Sequence, residues 1–356
     1  MDFSDQPKDV RPDEELPTEA IESFLRREIP GLSGPMRLLQ FPGGHSNLTY
    51  HLAFGDREMV LRRGPFGTKV ATAHDMGREY RVLSAVHRVY PYAPEPLAFC
   101  EDESLLGFGF YVMERIRGLV LRRQLPPGLD ATPEQGRRLA YNLIRTQYEL
   151  HALDYRAVGL ENFGRPAGYV ERQVRGWIKR YRNARTPDAP GAEDLMERLE
   201  HRLPPDEGRS ALIHNDFKLD NVIVDSSDIV RIVGVFDWEM ATLGDPILDL
   251  VGSLAYIIEP DDPPEMEANN QWPPALRSGV TRRELLEYYE SLSGLRIENF
   301  DYLYGFALFR LAVIIQQLYY RYYHGQTRDE RFAPMIHGVI ALIREAARVF
   351  ELAGLS

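Results

Sequence analysis

Cysteine is nearly absent: Cys100 is the single one in 356 residues, so the chain cannot close a disulfide on itself. That suits a reducing compartment. Positive charge is also short. The 42 Lys and Arg stand against 53 Asp and Glu, a net charge of −11, and so acidic a chain is a poor default binder of nucleic acid or anionic lipid. No uninterrupted apolar run approaches the roughly 18 residues of a membrane span. The longest candidates, LAVII and LVGSLAYII, read as buried helix. The opening MDFSDQPKDVRPDEELP lacks the basic and apolar regions of a secretory signal. These absences place the protein in the cytoplasm, with neither nucleic acid nor membrane as partner. Internal repeats are lacking too. What remains is an ordinary globular composition, 44% hydrophobic and 27% charged, long enough for two domains or lobes of about 150 residues each.

Residues 1–17 carry six acids, two bases and no periodicity, and read as a mobile tail. Thr18 opens a helix that stops at Pro30-Gly31. Strand-like runs follow at Met36–Phe41, Thr49–Phe54 and Glu58–Arg63, separated by Gly43-Gly44 and Gly55-Asp56. A helical stretch covers His74–Arg88, and two more strand-like runs cover Glu95–Cys100 and Gly109–Glu114. After Arg117-Gly118 the pattern turns helical. Thr132-Pro133-Glu134-Gln135 and Thr281-Arg282-Arg283-Glu284 are capping boxes, in which Thr and the third residue of the helix satisfy each other's backbone N–H. Short β-type runs around Ala211–Asp225 and Ile229–Phe236 interrupt the helices. The Pro-rich acidic segment Glu259–Pro274 reads as a surface tether between helices, with an active-site lid as the alternative. The expected architecture is α+β: a tail (1–17), a small antiparallel-sheet lobe (18–115), and a larger, mostly helical lobe (116–356).

The chemistry concentrates in ALIHNDFKLDNVIVD and IVRIVGVFDWEMATLGDPILDL. His214, Asp216, Lys218, Asn221 and Asp237 are polar residues set among apolar strand-forming runs. Such flanks bury the backbone and present the polar side chains together, and a desolvated carboxylate needs a partner, a proton or a metal. Two carboxylates, an amide oxygen and an ammonium suit the holding of Mg²⁺ on phosphate oxygens, because Mg²⁺ takes few protein oxygens and completes its shell with phosphate and water. The spacing sharpens this. His214, Asp216 and Asn221 follow the H-x-D-x-x-x-x-N order of a kinase catalytic loop. Asp237 follows a strand sixteen residues after Asn221, where a kinase places its second metal-binding Asp.

From about residue 37 to about 345 the chain resembles the aminoglycoside phosphotransferase family, a kinase-like group that includes choline kinases. HNDFKLDNVIVD with VFDWEMATLGDPILDL looks most like the kinase domain fused to some acyl-CoA dehydrogenases. The resemblance implies a bilobal protein-kinase-like fold and an enzyme that moves the γ-phosphoryl group of ATP, or alternatively GTP, to a hydroxyl of a small molecule. By the same resemblance Asp216 accepts or orients the hydroxyl proton, Asn221 and Asp237 hold Mg²⁺, His214 supports the loop, and Lys218 faces the transferred phosphate. Asp245 and Asp249 match acidic positions that brace the loops.

In the N-terminal lobe, Gly43, Gly44 and Ser46 lie between two strands, where backbone N–H groups can approach phosphates. Arg62 stands where protein kinases carry a lysine, a departure that bidentate hydrogen bonding to phosphate can accommodate. Glu79 is its candidate ion-pair partner, and Arg63 takes the opposite face by strand alternation. Met113 and Arg115 match the hinge whose backbone binds adenine in the family. Cys100 and His151 read as packing residues, and the tyrosines at 319, 320, 322 and 323 as core. Trp177 and Tyr181 are candidates to face the acceptor. Three acceptor readings stay open: a hydroxyacyl-CoA-like metabolite, an aminoglycoside, or none, the last being a non-catalytic nucleotide-binding scaffold.

Overall fold

Strand-forming residues bounded by turn residues pair locally, and they do so here. In the computed structural model, which describes residues 3–42, 47–65 and 75–355, β1 (Met36–Gln40), β2 (Leu48–Phe54), β3 (Arg57–Arg63), β4 (Pro96–Cys100) and β5 (Phe110–Glu114) form one antiparallel sheet in the order β1-β2-β3-β5-β4. Helix α1 (Thr18–Glu28) packs on one face. Its Ile21, Phe24 and Leu25 meet Tyr50, Leu52, Phe54, Leu61 and Val112 in a continuous apolar core. Helix α2 (Met76–Val86) is capped by the Asp75 side chain. A four-residue turn, α3 (Glu103–Leu106), joins β4 to β5, capped by the Asp102 side chain at its start and closed by left-handed Gly107 at its end.

The chain divides into two units. The first holds residues 1–121, 154–160 and 220–241; the second holds 122–153, 161–219 and 242–356. The hairpin of β7 (Val222–Val224) and β8 (Ile232–Val235) therefore belongs with the first unit. Leu119 and Val224 exchange backbone hydrogen bonds of 2.8 and 2.9 Å, and the Val235 N–H donates to the Tyr92 carbonyl at 2.8 Å.

The acidic tail, expected to be mobile, is instead pinned from residue 5 onward. Lys8 pairs with Gln40 at the edge of β1. The Asp5 N–H donates to the Gly118 carbonyl, and the Asp5 carboxylate accepts from Val120 N–H. Tyr50 donates its hydroxyl proton to the Glu14 carbonyl, and Leu16 is buried. The edge strand's unpaired backbone supplies partners that no local periodicity signals.

The second unit is built on helices: α4 (Pro133–His151), α5 (Tyr169–Ala184), α6 (Glu193–His201), α7 (Pro246–Leu254), α8 (Arg282–Ser293), α9 (Phe300–Tyr323) and α10 (Met335–Leu352). Both expected capping boxes form, at Thr132 with Gln135 and at Thr281 with Glu284. A short strand pair, β6 (Ala211–Ile213) with β9 (Thr242–Gly244), lies among the helices. Helix α9 is long and apolar enough to cross a membrane by length and composition, yet 78% of its apolar window is buried inside the protein. That is the burial of a central core helix. A Cβ on Gly305 would come within 2.4 Å of the Phe350 ring, so glycine there lets α10 lie against α9.

The Glu259–Pro274 segment is more than a surface tether. It winds into a 3₁₀ turn at Pro264–Asn269 and buries Met266 and Trp272. Arg282 holds it by ion pairs to Glu259 at 3.1 Å and Asp262 at 2.6 Å. With Ile257, Leu276 and Arg277 it lines a cavity of about 420 Å³, within the size range of small-molecule sites.

Candidate active site

The loop that carries Asp216 leaves β6 at His214, and one carboxylate holds its backbone. Asp249, on α7, accepts the His214 N–H at 3.2 Å and the Asn215 N–H at 2.6 Å. It also bonds Gln147 Nε2 at 3.1 Å and His151 Nε2 at 3.0 Å. The other His151 ring nitrogen meets the Tyr289 hydroxyl at 2.8 Å. Burial works to raise the Asp249 carboxyl, but the His151 hydrogen bond and the nearby histidines outweigh it and bring the pKa down to about 2. Asp245 caps α7 by accepting from Ile247 and Leu248 N–H. Asp245 thus fixes the helix and Asp249 fixes the loop. His151, read as packing, is in fact part of this brace.

Asn215 takes a left-handed backbone conformation, φ +67°, unusual for a residue with a side chain. Its side-chain oxygen accepts from the Tyr169 hydroxyl at 2.9 Å, and its carbonyl accepts from Arg310 Nη2 at 2.6 Å. A strained turn persists only where its surroundings over-determine it. The turn carries Asp216, whose side chain is 26% exposed and lies 3.4 Å from Lys218 Nζ. The Tyr256 hydroxyl is 3.4 Å from Asp216 and the Tyr256 ring underlies Lys218. His214, fully buried, packs edge-on against Phe217. Thus Asp216, Lys218 and the His214 backbone come together in the second unit. Asp216, Tyr256 and Arg310 line a small cavity of about 20 Å³, room for about one water.

A second constellation lies in the first unit. Strand alternation sends Arg62 to the α2 face of the sheet and Arg63 to the α1 core. Arg62 is buried and bridges two carboxylates, Asp237 at 2.7 Å and the expected partner Glu79 at 3.3 Å. Burial pulls the guanidinium down, but Glu79, Tyr111 and Asp237 hold it well above its usual value. The same burial pushes the Glu79 carboxyl up. Glu79 also accepts the Trp238 N–H at 3.0 Å, tying α2 to the residues after β8. Asp237 is left-handed too, φ +68°. The Asn221 carbonyl accepts from Phe236 N–H at 3.1 Å, so the β7–β8 register sets Asn221 beside the residue preceding Asp237.

Glu239 went unnoticed in the sequence. Burial, then the charge of Asp237, raises its carboxyl to about 7, and it accepts from Asn47 Nδ2 at 2.9 Å. Its place two residues after Asp237 was the available signal. Gly43, Gly44 and Ser46 lie outside the described residues. Met113 is buried on β5. The Arg115 side chain pairs with Glu58 at 2.7 Å and donates to the Asp5 carbonyl, so any contact to a ligand there falls to its backbone. Tyr181 is core: its hydroxyl donates to the Pro190 carbonyl and its ring packs on Phe309. Tyr319, also buried, donates to Asp188. Among the described residues no group of three or more His, Cys, Asp and Glu is arranged to hold a metal.

Residues 37–285 match the phosphotransferase enzyme family. Over 319 residues the chain is 35% identical to acyl-CoA dehydrogenase family member 10 of Mus musculus, covering 89% of this chain and 30% of that protein. The chain thus spans under a third of that relative's length. A crystal structure from Ralstonia eutropha, provisionally assigned as an aminoglycoside phosphotransferase, superposes with a TM-score of 0.77 at 28% identity, covering 94% of this chain and 99% of that one. A thermostable mutant of an aminoglycoside phosphotransferase, in ternary complex with ADP and hygromycin B, superposes at 0.57 with 17% identity, covering 92% and 99%. The fold is therefore protein-kinase-like, a small antiparallel sheet unit and a larger helical one.

Proposed function

The chain belongs to the phosphotransferase enzyme family of small-molecule kinases, and from that premise we propose that it transfers the γ-phosphoryl group of ATP to a hydroxyl of a small molecule. The observation that carries the reading is the clamp on the 214–215 backbone. Asp249, Tyr169 and Arg310 hold a strained turn in place, and the side chain it delivers, Asp216, is a partly exposed carboxylate beside a lysine. Preorganisation of that kind is what phosphoryl transfer asks of a protein, since its catalysis is positioning and charge neutralisation.

In this reading Asp216 accepts the proton of the acceptor hydroxyl as its oxygen bonds to the γ-phosphorus and the bond to the β-phosphate oxygen breaks. Lys218 offsets charge on the transferred group. Arg62 binds nucleotide phosphate, and Glu79 orients it. Asn221 and Asp237 would hold Mg²⁺, because an amide oxygen and a carboxylate are hard donors of the type it takes. Bound there, the ion supplies charge neutralisation on the phosphates. ADP in the hygromycin-bound neighbour supports a nucleotide donor. For the acceptor we propose a hydroxylated acyl-CoA-like metabolite, with an aminoglycoside as the alternative.

Asp216→Asn tests the reading. It keeps the shape and removes the proton acceptor. Turnover in an ADP-release assay should fall about 10³-fold or more, while calorimetric ATP affinity stays within about twofold. Unchanged turnover would remove Asp216 from the chemistry. Among rival readings, a non-catalytic scaffold has one observation in its favour, the engagement of Arg62 by two carboxylates. Nucleotide binding with no transfer to any hydroxyl acceptor would select it.

A further inference from the structure

A charged group seldom lies in a protein interior without its opposite. Arg62 is buried with Glu79 and Asp237, and Arg282 with Glu259 and Asp262. Arg310 differs. It sits in the otherwise apolar run FALFRLAVII of α9 and is 8% exposed. Among the described residues it forms no ion pair. One of its groups donates to the Asn215 carbonyl and its Nε has no hydrogen-bond partner. Its guanidinium stacks on the Trp177 indole, 5.4 Å from the ring centroid. Arg180, one turn along α5, stacks on the same indole at 4.6 Å and likewise forms no ion pair among the described residues. Burial, and then the nearby Arg310 charge, pulls the Arg180 guanidinium below its usual value. So two guanidiniums share one aromatic platform, neither of them in an ion pair among the described residues, and the buried one lines the small cavity that Asp216 and Asp249 also line.

We propose that Arg310 and Arg180, stacked on Trp177, form an oxyanion seat beside the Asp216 loop, so that the acceptor carries a carboxylate or a phosphate as well as its hydroxyl. The inference rests on the phosphotransferase reading for the word acceptor, while the seat itself rests on the three side chains. A planar guanidinium holds either oxyanion through paired N–H donors. An anion placed there supplies the missing partner for a desolvated charge and relieves the repulsion between the two arginines. A polycationic acceptor such as an aminoglycoside would meet like charge at this position. Trp177, singled out as a candidate to face the acceptor, takes its place as the platform.

Two matched pairs of compounds test this by calorimetry, without nucleotide and so without turnover: β-hydroxybutyrate against its methyl ester, and α-glycerophosphate against glycerol. At least one charged member should bind wild type about tenfold or more tighter than its neutral partner, and which pair responds separates carboxylate from phosphate. Arg310→Gln should abolish the preference. Arg180→Gln, an exposed change that leaves the Asn215 carbonyl bond intact, should reduce it about threefold, with thermal unfolding run on both variants to establish that they fold. Equal affinity for charged and neutral members of both pairs would overturn the proposal. So would a preference left untouched in Arg180→Gln and in folded Arg310→Gln. Turnover is scored separately. Anion preference without phosphate transfer to any acceptor would sink the phosphotransferase reading and keep the seat, and transfer without anion preference would sink the seat alone.

Discussion

Each unit contains a buried carboxylate centre, and the two are opposites. Around Asp249 the protein supplies every need: two backbone N–H groups, an amide and a histidine converge on one carboxylate and hold its pKa down to about 2. Around Arg62 the balance runs the other way. Glu79, Asp237 and Glu239 act on a single guanidinium, and burial pushes Glu79 and Glu239 up. The first centre is complete as protein and reads as scaffold. The second holds more negative charge than its own cation covers, which suits a site that a ligand cation completes.

The sharpest way to break this contrast is Asp237→Ala. If the second centre awaits Mg²⁺ and nucleotide, turnover should drop at least about 10³-fold, and ATP affinity measured by calorimetry should lose its dependence on Mg²⁺. ATP binding that stays Mg²⁺-dependent in the variant would leave Asp237 as a structural partner of Arg62. The next largest effect belongs to the scaffold. Asp249→Asn removes a buried charge from its four donors and should cost about 3 kcal/mol of unfolding free energy in urea.

The pH dependence has a definite sign. The folded pKa of Asp249 lies below the usual 3.8, so its contribution is complete above about pH 4 and is lost as the pH falls toward 2. Over that window wild type should lose about 2 kcal/mol more than Asp249→Asn. Parallel acid profiles for the two proteins would show that the brace does not depend on ionised Asp249.

Much of this was readable from residue order, and what was not has a common cause. Local signals held. Thr132 and Thr281 capped their helices through their own neighbours, α9 ran over Phe300–Tyr323 as its apolar pattern required, and β2 and β3 paired across the Gly55-Asp56 turn. Spacing singled out the stretch from His214 to Asn221 and Asp237, and the structure sets Asp216 beside Lys218 and Asp237 beside Arg62. Features that depend on distant partners were not legible. Glu239 meets Asn47 from 192 residues away and His151 meets Asp249 from 98, and no periodicity encodes such pairs. The tail looked unstructured because its order comes from Gln40, Tyr50 and Gly118. The β7–β8 hairpin looked like part of the helical lobe because sequence shows adjacency and not which unit a strand joins.

The smallest expected effect tests the arginine that stands where protein kinases carry a lysine. In Arg62, Nη2 reaches Asp237 while Nη1 faces Glu79, so one rigid fork spans groups carried by two different elements. Lysine offers a single ammonium on a flexible stem and cannot keep both contacts in that geometry. Arg62→Lys should therefore raise the ATP KM about three- to tenfold with a lesser change in kcat, and should lower the melting temperature by a few degrees, as expected for about 1 kcal/mol in a protein of this size. The KM change tracks phosphate binding, and the melting shift tracks the tie between α2 and the residues after β8. A fall in melting temperature with ATP KM unchanged would make Arg62 a strut rather than a ligand for nucleotide. The Arg62 centre would then be scaffold of the same kind as Asp249, and the contrast between the two units would close.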